Sequence, residues 1–330
     1  MRAQSFLAIA AVVGLAGGPL AGCGASSPYT EGDSGSGGGG DGAIAQDAAT
    51  PMPPLTLPAR VELVHGVYGL GAVRLCANAN EPEAVPSDNV VPRSNYAGLA
   101  PRASAFIRQT LALDTDAFVV DARKLASVEK KQDGTVPISC ANARTAFSSD
   151  LLAVPPVSVP SSGPTLLALV GCAPKAPMGS AELCGGADPQ TGVLALASIP
   201  LTNMLRAQSS AVDFVLLSST LTAATFGFVP VGQCPSERSA VPSRGTVEHI
   251  DSWTPPTSGW DTDGLVLCDA SNRVVASWSY AAMQAASAPS STPMEHYGRN
   301  ALFAFAVVGE PNADPQWAPV ALALPYEATH

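Results

Sequence analysis

Short apolar runs of four to eight residues recur from residue 59 to the end of the chain, and proline, glycine or polar turn residues separate them. The runs at residues 61–65, 73–77 and 301–308 are examples. Few stretches have the three- and four-residue spacing of apolar positions that an amphipathic helix requires. Many short strands with frequent turn signals predict an all-β protein built as a sandwich. One stretch, residues 280–286, is predicted to form a short helix instead.

This pattern occurs twice, because four segments of the first half recur in the same order in the second half. The matches are residues 114–122 with 261–270, 166–171 with 302–309, 193–200 with 320–325 and, more weakly, 61–75 with 204–215. Several matches in one order indicate an internal duplication. We therefore predict two tandem immunoglobulin-like β-sandwiches, at residues 59–201 and 202–330.

The duplication also decides between helix and strand for residues 102–131. This stretch contains neither proline nor glycine and by itself could form a helix. The matching part of the second unit contains Pro255, Pro256, Gly259 and Gly264, which a helix interior does not tolerate. Strands are therefore predicted in both units.

The N-terminus has the pattern of a secretory signal: one positive charge, a short apolar run at residues 6–15 and then small residues. The run is shorter than the roughly 20 apolar residues that a membrane-spanning helix needs. Residues 20–23, Leu-Ala-Gly-Cys, resemble the bacterial lipobox. The resemblance implies a signal peptide at residues 1–22, cleavage before Cys23 and a lipid anchor on Cys23. An ordinary signal peptide with an incidental cysteine is the alternative.

Residues 24–58 consist mainly of glycine, serine, aspartate, alanine, threonine and proline, with almost no large apolar residues. Such a segment cannot bury enough surface to offset the entropy of ordering it. We predict that residues 23–58 form a lipidated cysteine and a disordered tether, with a mean span of roughly 30 Å. Gly24 stands where inner-membrane lipoproteins carry aspartate, so resemblance to enteric sorting rules favours the outer membrane within a bacterial cell envelope.

The charge of the chain limits its partners. The formal net charge is −10, and only 13% of the residues are charged. This surface repels nucleic acid and anionic lipid headgroups alike. Contact with the membrane is therefore expected through the lipid anchor alone.

The cysteine count agrees with an exported protein. Seven cysteines become six once Cys23 carries lipid, and an even number in an oxidising compartment predicts disulfides. Proximity in sequence favours the pairs Cys172–Cys184 and Cys234–Cys268, which leaves Cys76–Cys140. Zinc is not expected, because no C-x-x-C motif occurs and the four histidines are scattered.

The opening of the first unit resembles a bacterial envelope family, domain-of-unknown-function family 4397. The resemblance rests on residues 60–65, Arg-Val-Glu-Leu-Val-His, followed after a turn by residues 72–76, Ala-Val-Arg-Leu-Cys. Residues 208–215 keep the Ala-Val-Asp of this family, and residues 164–173 resemble a later strand with Leu-Val-Gly-Cys. The turn at residues 66–71 departs from the family pattern. The resemblance implies immunoglobulin-like sandwiches behind a lipobox, without an established activity.

Catalytic signatures are weak. Residues 127–130 match Ser-x-x-Lys and residues 87–89 match Ser-Asp-Asn, two signatures of penicillin-recognising serine enzymes. Their order is reversed, and the third signature, Lys-Thr-Gly, is missing from the sequence. The matches are therefore interpreted as chance, and the chain is predicted not to be an enzyme.

Two features remain as candidate binding sites. The first is the repeated Asp-Thr-Asp that contributes Asp114 and Asp116 in one unit and Asp261 and Asp263 in the other. Clustered carboxylates suit calcium, whereas the alternative is a turn that leads into a strand. No other cofactor is expected.

The second candidate is the pair Trp253 and Trp260, which flanks a proline-containing loop. Exposed tryptophans at the end of a sandwich suit stacking on a polysaccharide or anchoring a protein ligand, and packing of the loop is the alternative. The sequence thus predicts a lipid-anchored structural, adhesive or ligand-binding module. An envelope hydrolase whose site no motif reveals is the alternative.

Overall fold

A computed structural model describes the chain from residue 55 onwards, with gaps. The described residues are 55–77, 90–91, 98–107, 117–121, 144–145, 151–176, 181–184, 188, 190–206, 209–256, 258–287, 300–311 and 313–327. Residues 51–330 belong to one compact unit. The lipobox cysteine Cys23 and the catalytic-signature matches lie outside the described residues, so those predictions stay as they were.

The described residues of the first sandwich form eight strands. They are β2 (Arg60–Tyr68), β3 (Val73–Ala77), β4 (Val90–Val91), β5 (Ser104–Ile107), β6 (Ala117–Asp121), β7 (Leu152–Val154), β8 (Pro164–Cys172) and β9 (Val193–Pro200). One sheet has the order β5-β2-β8-β9, and the other has the order β4-β3-β6-β7. All neighbouring strands pair antiparallel except β2 and β8, which are parallel.

The second sandwich repeats this arrangement, and its described residues also include two helical segments. Its elements are β11 (Ser210–Leu216), β12 (Thr225–Pro230), β13 (Ser239–Ala240), β14 (Val247–Trp253), β15 (Asp263–Cys268), β16 (Val274–Ser279), α1 (Tyr280–Ala286), β17 (Ala301–Val308), a 3₁₀ turn (Pro315–Trp317) and β18 (Val320–Glu327). The sheet orders are β14-β11-β17-β18 and β13-β12-β15-β16, with β11 and β17 parallel.

The prediction of an all-β fold is confirmed, and the two sandwiches have the same strand order. Strands β5, β6 and β15 confirm the choice of strand over helix, and helix α1 occupies the predicted residues 280–286. The weak match between residues 61–75 and 204–215 is wrong by one strand. Residues 211–215 lie in β11, which is the counterpart of β2, whereas residues 73–75 lie in β3, the counterpart of β12.

The two sandwiches stack through equivalent sheets, so that four sheets follow one another in layers. The middle core joins β2 and β8 of the first sandwich to β11, β17 and β18 of the second. Two further cores lie inside the individual sandwiches. Strand β17 shows the consequence: its even-numbered residues from Leu302 to Val308 face the middle core, and its odd-numbered residues face the core of its own sandwich. Because both faces are buried, all eight residues are apolar.

The described chain begins at one end of the strands that face the middle core, here called the inner strands (β2, β8, β11 and β17). Strands β1 (Leu55–Thr56) and β10 (Met204–Leu205) directly precede β2 and β11, and they pair with each other antiparallel. Leu57 is 1% exposed within the middle core. Composition assigned residues 55–58 to the tether, but in the structure Leu55–Thr56 forms this strand and Leu57 is buried. The reason is that Leu55 and Leu57 supply two large apolar side chains close together, whereas such side chains are rare and scattered in the rest of the tether.

The stacking makes a steric prediction at Gly66, where a Cβ atom would lie 2.8 Å from Cγ2 of Val308. Gly66→Ala should lower the free energy of unfolding by about 1–3 kcal/mol, because the stiff, buried valine has to move. Urea unfolding measures this change. Gly71→Ala is the matched control, since a Cβ there meets no atom within 4 Å, and it should be nearly neutral.

In the double variant Gly66→Ala/Val308→Ala, the loss from the alanine at position 66 should be smaller than in the wild-type background, because the clashing methyl group is gone. An undiminished loss in that background would contradict the stacking of β2 on β17.

Candidate functional site at the junction of the two sandwiches

The two candidate tryptophans pack onto the rim of the second sandwich. Both are half-buried and contact its core. The ring of Trp260 meets Tyr280 edge-on, with centroids 5.7 Å apart. Trp253 contacts four rings, those of Phe228, Tyr280, Phe303 and Phe305. These contacts correspond to the packing alternative, and they leave only part of each indole for a ligand.

A β-bulge explains the direction of Trp253. The pairing of β14 with β11 shifts by one residue between the pairs Val212↔Ile250 and Ser210↔Trp253. Within the bulge Ser252 adopts a left-handed conformation, with φ of 63°. The extra residue reverses the alternation of faces, so Asp251 stays on the side of His249 while Trp253 turns into the core of its own sandwich.

The candidate calcium ligands do not form a cluster in the part of the chain that the structure describes. Asp261 is exposed and lies in the turn that leads into β15. Asp263 begins that strand, and its amide donates to the carbonyl oxygen of Gly259. No group of three potential metal ligands occurs among the described residues. Asp114 and Asp116 lie outside them.

Two of the disulfides that were predicted from proximity in the sequence are present. Cys172–Cys184 and Cys234–Cys268 are both formed. Cys76 is disulfide-bonded as well. Its predicted partner, Cys140, lies outside the described residues. The first bridge closes the loop after β8, and the second ties the loop after β12 to the end of β15.

Sequence reasoning missed two equivalent carboxylates that face the junction. Gly171 and Gly309 both have a left-handed conformation, at φ of 112° and 101°, and mark the same point in the two sandwiches. Counting back from them, the strand neighbours of Glu62 on β2 match those of Asp213 on β11. Glu62 is 5% exposed and Asp213 is fully buried. A buried charge needs partners. Asp213 finds Thr202 in the link that follows β9, and Glu62 lies beside Arg60 on its own strand.

Asp213 binds Thr202 in the segment between β9 and β10, which links the two sandwiches. Its Oδ2 accepts a hydrogen bond of 2.6 Å from the amide of Thr202, and its Oδ1 accepts one of 3.0 Å from the Thr202 hydroxyl. The Nδ1 of His249 lies 2.6 Å from the same Oδ1. On the other side of the ring, Nε2 lies 2.9 Å from Oδ1 of Asp251, which also pairs with Arg206.

This arrangement contains the residue types of a hydrolytic triad but not its electrostatics. In such a triad a neutral histidine accepts the proton of the nucleophile. Here the hydrogen bond to Asp213 raises the pKa of His249 to about 9, and Asp251 adds to this effect against the opposing effect of burial. At neutral pH the ring is therefore an imidazolium that donates from both nitrogens, and it cannot act as a base towards Thr202. The cluster is suited to fastening the link rather than to catalysis.

Glu62 has different partners in the equivalent position. Burial raises the pKa of this carboxyl, and the nearby Arg60 opposes the rise. The Arg60 guanidinium lies 3.7 Å from Glu62, donates to the carbonyl oxygen of Pro325, and stacks between the rings of Phe106 and Tyr326. Arg60 thus connects the start of β2 to the end of β18 in the other sandwich.

The opposite end of the inner strands carries a cross-braced set of loops. The carboxylate of Glu310, just beyond β17, accepts hydrogen bonds of 2.7–2.9 Å from the hydroxyls of Ser218, Ser219 and Thr220 and from two of their amides. The Ser219 hydroxyl also lies 3.0 Å from the carbonyl oxygen of Leu183, in the loop that the Cys172–Cys184 bridge closes. Loops of the two sandwiches are therefore joined at this end.

A small cleft lies beside these braced loops. Its lining includes His65, Tyr68, Arg102, Glu310 and Trp317. The rings of Tyr68 and Trp317 meet edge-on across the junction, with centroids 5.7 Å apart. Burial lowers the pKa of His65 to about 4, so this ring is neutral at neutral pH. Its Nε2 donates to the carbonyl oxygen of Gly71, and its Nδ1 accepts from the amide of Val67.

In the sequence, the two buried carboxylates are marked only by their residue type within an apolar run. Glu62 and Asp213 are charged residues at positions where the strand pattern is otherwise apolar, which marks a buried charge without naming its partner.

Comparison with protein-family models and with curated proteins found no match for the chain. The resemblance to family 4397 therefore stays a prediction. None of the helices that the structure describes is long and apolar enough to cross a membrane.

The Asp213–His249 contact predicts an alkaline loss of stability. The pKa of His249 rises from 6.5 to about 9 on folding, so its contribution is fully present below pH 6.5 and is lost as the pH rises towards 9. Since the ring is partly exposed, we expect a loss of only about 1 kcal/mol. Urea unfolding between pH 6 and 9.5 measures it. In His249→Gln this part of the decline should vanish, and an unchanged pH profile would rule out the ionic contact.

His65 predicts the opposite behaviour in acid. Its pKa falls from 6.5 to about 4 on folding, so the unfolded chain takes up the proton first, and stability drops as the pH falls from 6.5 towards 4. The expected loss is about 3 kcal/mol, from roughly 1.4 kcal/mol per pKa unit. His65→Gln should reduce this acid limb while leaving the alkaline limb intact, and His249→Gln should do the reverse. The two variants therefore serve as controls for each other.

Proposed function

We propose that the protein is a lipid-anchored component of the bacterial cell envelope, on the outer membrane, in which the two sandwiches form one rigid, non-catalytic module. The module presents the loops at one end of the stack to a polysaccharide or protein ligand. The observation that supports this proposal is the direction in which the inner strands run. The tether enters beside β1 and β10, at the starts of β2 and β11, whereas the braced loops follow the ends of β8, β11 and β17.

This common direction of the inner strands suits a tethered module. Because the tether joins the stack at one end, the braced loops at the other end are the part of the body that can point farthest from the lipid. We call the described residues of these loops, 173–176, 181–184, 188, 190–192, 217–224, 309–311 and 313–319, the distal platform. The platform is held by a disulfide on one side and by Glu310 on the other, so that it meets a ligand with little loss of loop entropy.

The polar clusters of the junction also favour a module over an enzyme. The His249 ring nitrogens are both engaged by carboxylates, and the Glu310 carboxylate accepts five hydrogen bonds from the loop that follows β11. Catalysis needs a group that is free to exchange a proton with a substrate. These groups instead fasten the sandwiches to the link and to each other.

The anchor is tested by Cys23→Ser. Without the sulfur that carries the lipid, the protein should move from the membrane fraction to the soluble fraction, because its acidic surface has no affinity for anionic headgroups. Fractionation followed by immunoblotting measures this, and an unchanged melting temperature shows that both sandwiches remain folded. Retention of Cys23→Ser in the membrane would contradict the proposal.

Gly24→Asp is the matched control for this experiment. It leaves Cys23 in place, so the protein should stay membrane-bound. By the enteric sorting pattern it should move from the outer to the inner membrane, which density-gradient separation of the two membranes detects.

A further inference from the structure

The two disulfides for which the structure describes both cysteines differ in how far solvent reaches them. Cys172 and Cys184 are 0% and 6% exposed and pack with Trp317 in one apolar cluster. Cys268 is also fully buried, whereas its partner Cys234 is only half-buried. Thiol–disulfide exchange begins when a thiolate reaches one of the two sulfurs. Exposure therefore makes Cys234–Cys268 the more accessible of these bridges.

Cys234 lies in the connection between β12 and β13, residues 231–238, which we call the strap. The strap contains no helix or strand, and six of its eight residues are exposed. Pro235 is the one residue of the strap that is buried. Exposed segments without regular structure open at a low free energy, well below that of global unfolding.

The strap crosses the outer face of the sheet that contains β12 and β15. Leu265 and Leu267 point into the core of the sandwich, so Val266 between them points to the opposite face. Gly227 lies directly opposite Val266 in the pairing of these strands and shares that face. A Cβ atom on Gly227 would lie 2.7 Å from Cγ of Pro235, so the proline covers this pair, and Val266 is 0% exposed.

Beyond the disulfide and the proline, the contacts that hold the strap lie at its two ends. The amide of Val231 donates to the carbonyl oxygen of Thr262 at 2.7 Å. Nη1 of Arg238 donates to Oδ1 of Asn272 at 2.7 Å, between side chains that are both exposed. The disulfide is therefore the fastening that keeps the middle of the strap on the sheet.

A buried hydroxyl beside the disulfide favours opening of the strap. Thr225 lies directly opposite Cys268 in the pairing of β12 with β15. Its Oγ1 is buried and has no hydrogen-bond partner within the described part of the chain. Water that enters when the strap opens would satisfy this atom, which lowers the free-energy cost of the open form.

We propose that Cys234–Cys268 is a thiol-exchange site, at which a protein with a reduced Cys-x-x-Cys dithiol opens the strap and uncovers the outer face of β12 and β15. A dithiol suits this role because a single thiol would stay attached to Cys234 as a mixed disulfide. The inference needs neither the lipid anchor nor a ligand of the distal platform.

The exchange proceeds in two steps that balance. A thiolate of the dithiol attacks Sγ of Cys234, the S–S bond breaks, and Cys268 leaves as a thiolate that takes up a proton. The second thiol of the dithiol gives up its proton and attacks the mixed disulfide. This step releases Cys234, which takes up that proton, and leaves the dithiol protein oxidised to its own disulfide.

The test follows reduction of the purified full-length protein by dithiothreitol under native conditions, with alkylation of the free thiols at intervals. The four cysteines fall in four different tryptic peptides, so mass spectrometry follows each one separately. We expect Cys234 and Cys268 to be labelled at least about tenfold faster than Cys172 and Cys184, because a thiolate reaches only the first bridge in the folded protein. Reduced thioredoxin, a protein with a Cys-x-x-Cys dithiol, should react with the same bridge.

Cys234→Ser separates release of the strap from reduction itself. It removes the bridge without a reductant and leaves the buried Cys268 as a reporter of the outer face. Cys184→Ser is the matched control, because it leaves Cys172, which is equally buried but lies in an apolar cluster away from the strap. N-ethylmaleimide should label Cys268 at least about tenfold faster than Cys172 in these variants, since an open strap no longer covers the thiol. Melting temperatures show that both variants are folded.

Equal rates for the two bridges, or reduction of Cys234–Cys268 only where the protein unfolds, would overturn the exchange site. An unreactive Cys268 in folded Cys234→Ser would overturn release of the strap. Reaction with dithiothreitol but not with thioredoxin would overturn the choice of a protein dithiol. Retention of Cys23→Ser in the membrane would contradict the anchor while leaving this site in place.

Discussion

Packing of the two inner sheets against each other is the constraint on which the rest of the structure depends. It buries both faces of β8 and β17, so these strands can carry almost no polar side chain. It brings Val308 so close to β2 that any side chain at position 66 would force this valine to move. It also takes up Leu57, so that the end of the tether becomes part of the fold. The body is therefore one four-layer stack and not two sandwiches on a flexible link.

Polar groups at the junction follow from the same constraint. A carboxylate buried between two sheets must be compensated, and the duplicated positions are compensated in different ways. Asp213 pairs with His249 and with the link at Thr202, whereas Glu62 has Arg60, which also reaches Pro325. Both solutions connect one sandwich to the strand end of the other, so each compensating contact also strengthens the stack.

The ends of β8 and β17 show a second divergence between the repeats. Cys172 and Glu310 each follow a left-handed glycine at the same place in the two sandwiches. Cys172 is held covalently by Cys184, and Glu310 is held by five hydrogen bonds from Ser218, Ser219 and Thr220. A disulfide in one sandwich and a carboxylate that accepts five hydrogen bonds in the other thus both brace a loop at one end of the stack. That rigidity supports the proposed role of this end in presentation.

Local patterns determined the element types: short apolar runs predict strands, residues 280–286 predict the helix, and cysteine spacing predicts Cys172–Cys184 and Cys234–Cys268. Only the tertiary structure decided the partners. An unbroken apolar run such as β17 shows that both faces are buried, but not against which sheet. Trp253 could have been exposed, and a single bulge residue, Ser252, turned it inward. The contacts of His249 with Asp213 and of Glu310 with Ser219 span 36 and 91 residues. Such contacts depend on how sheets stack, and side-chain periodicity within one strand carries no information about that.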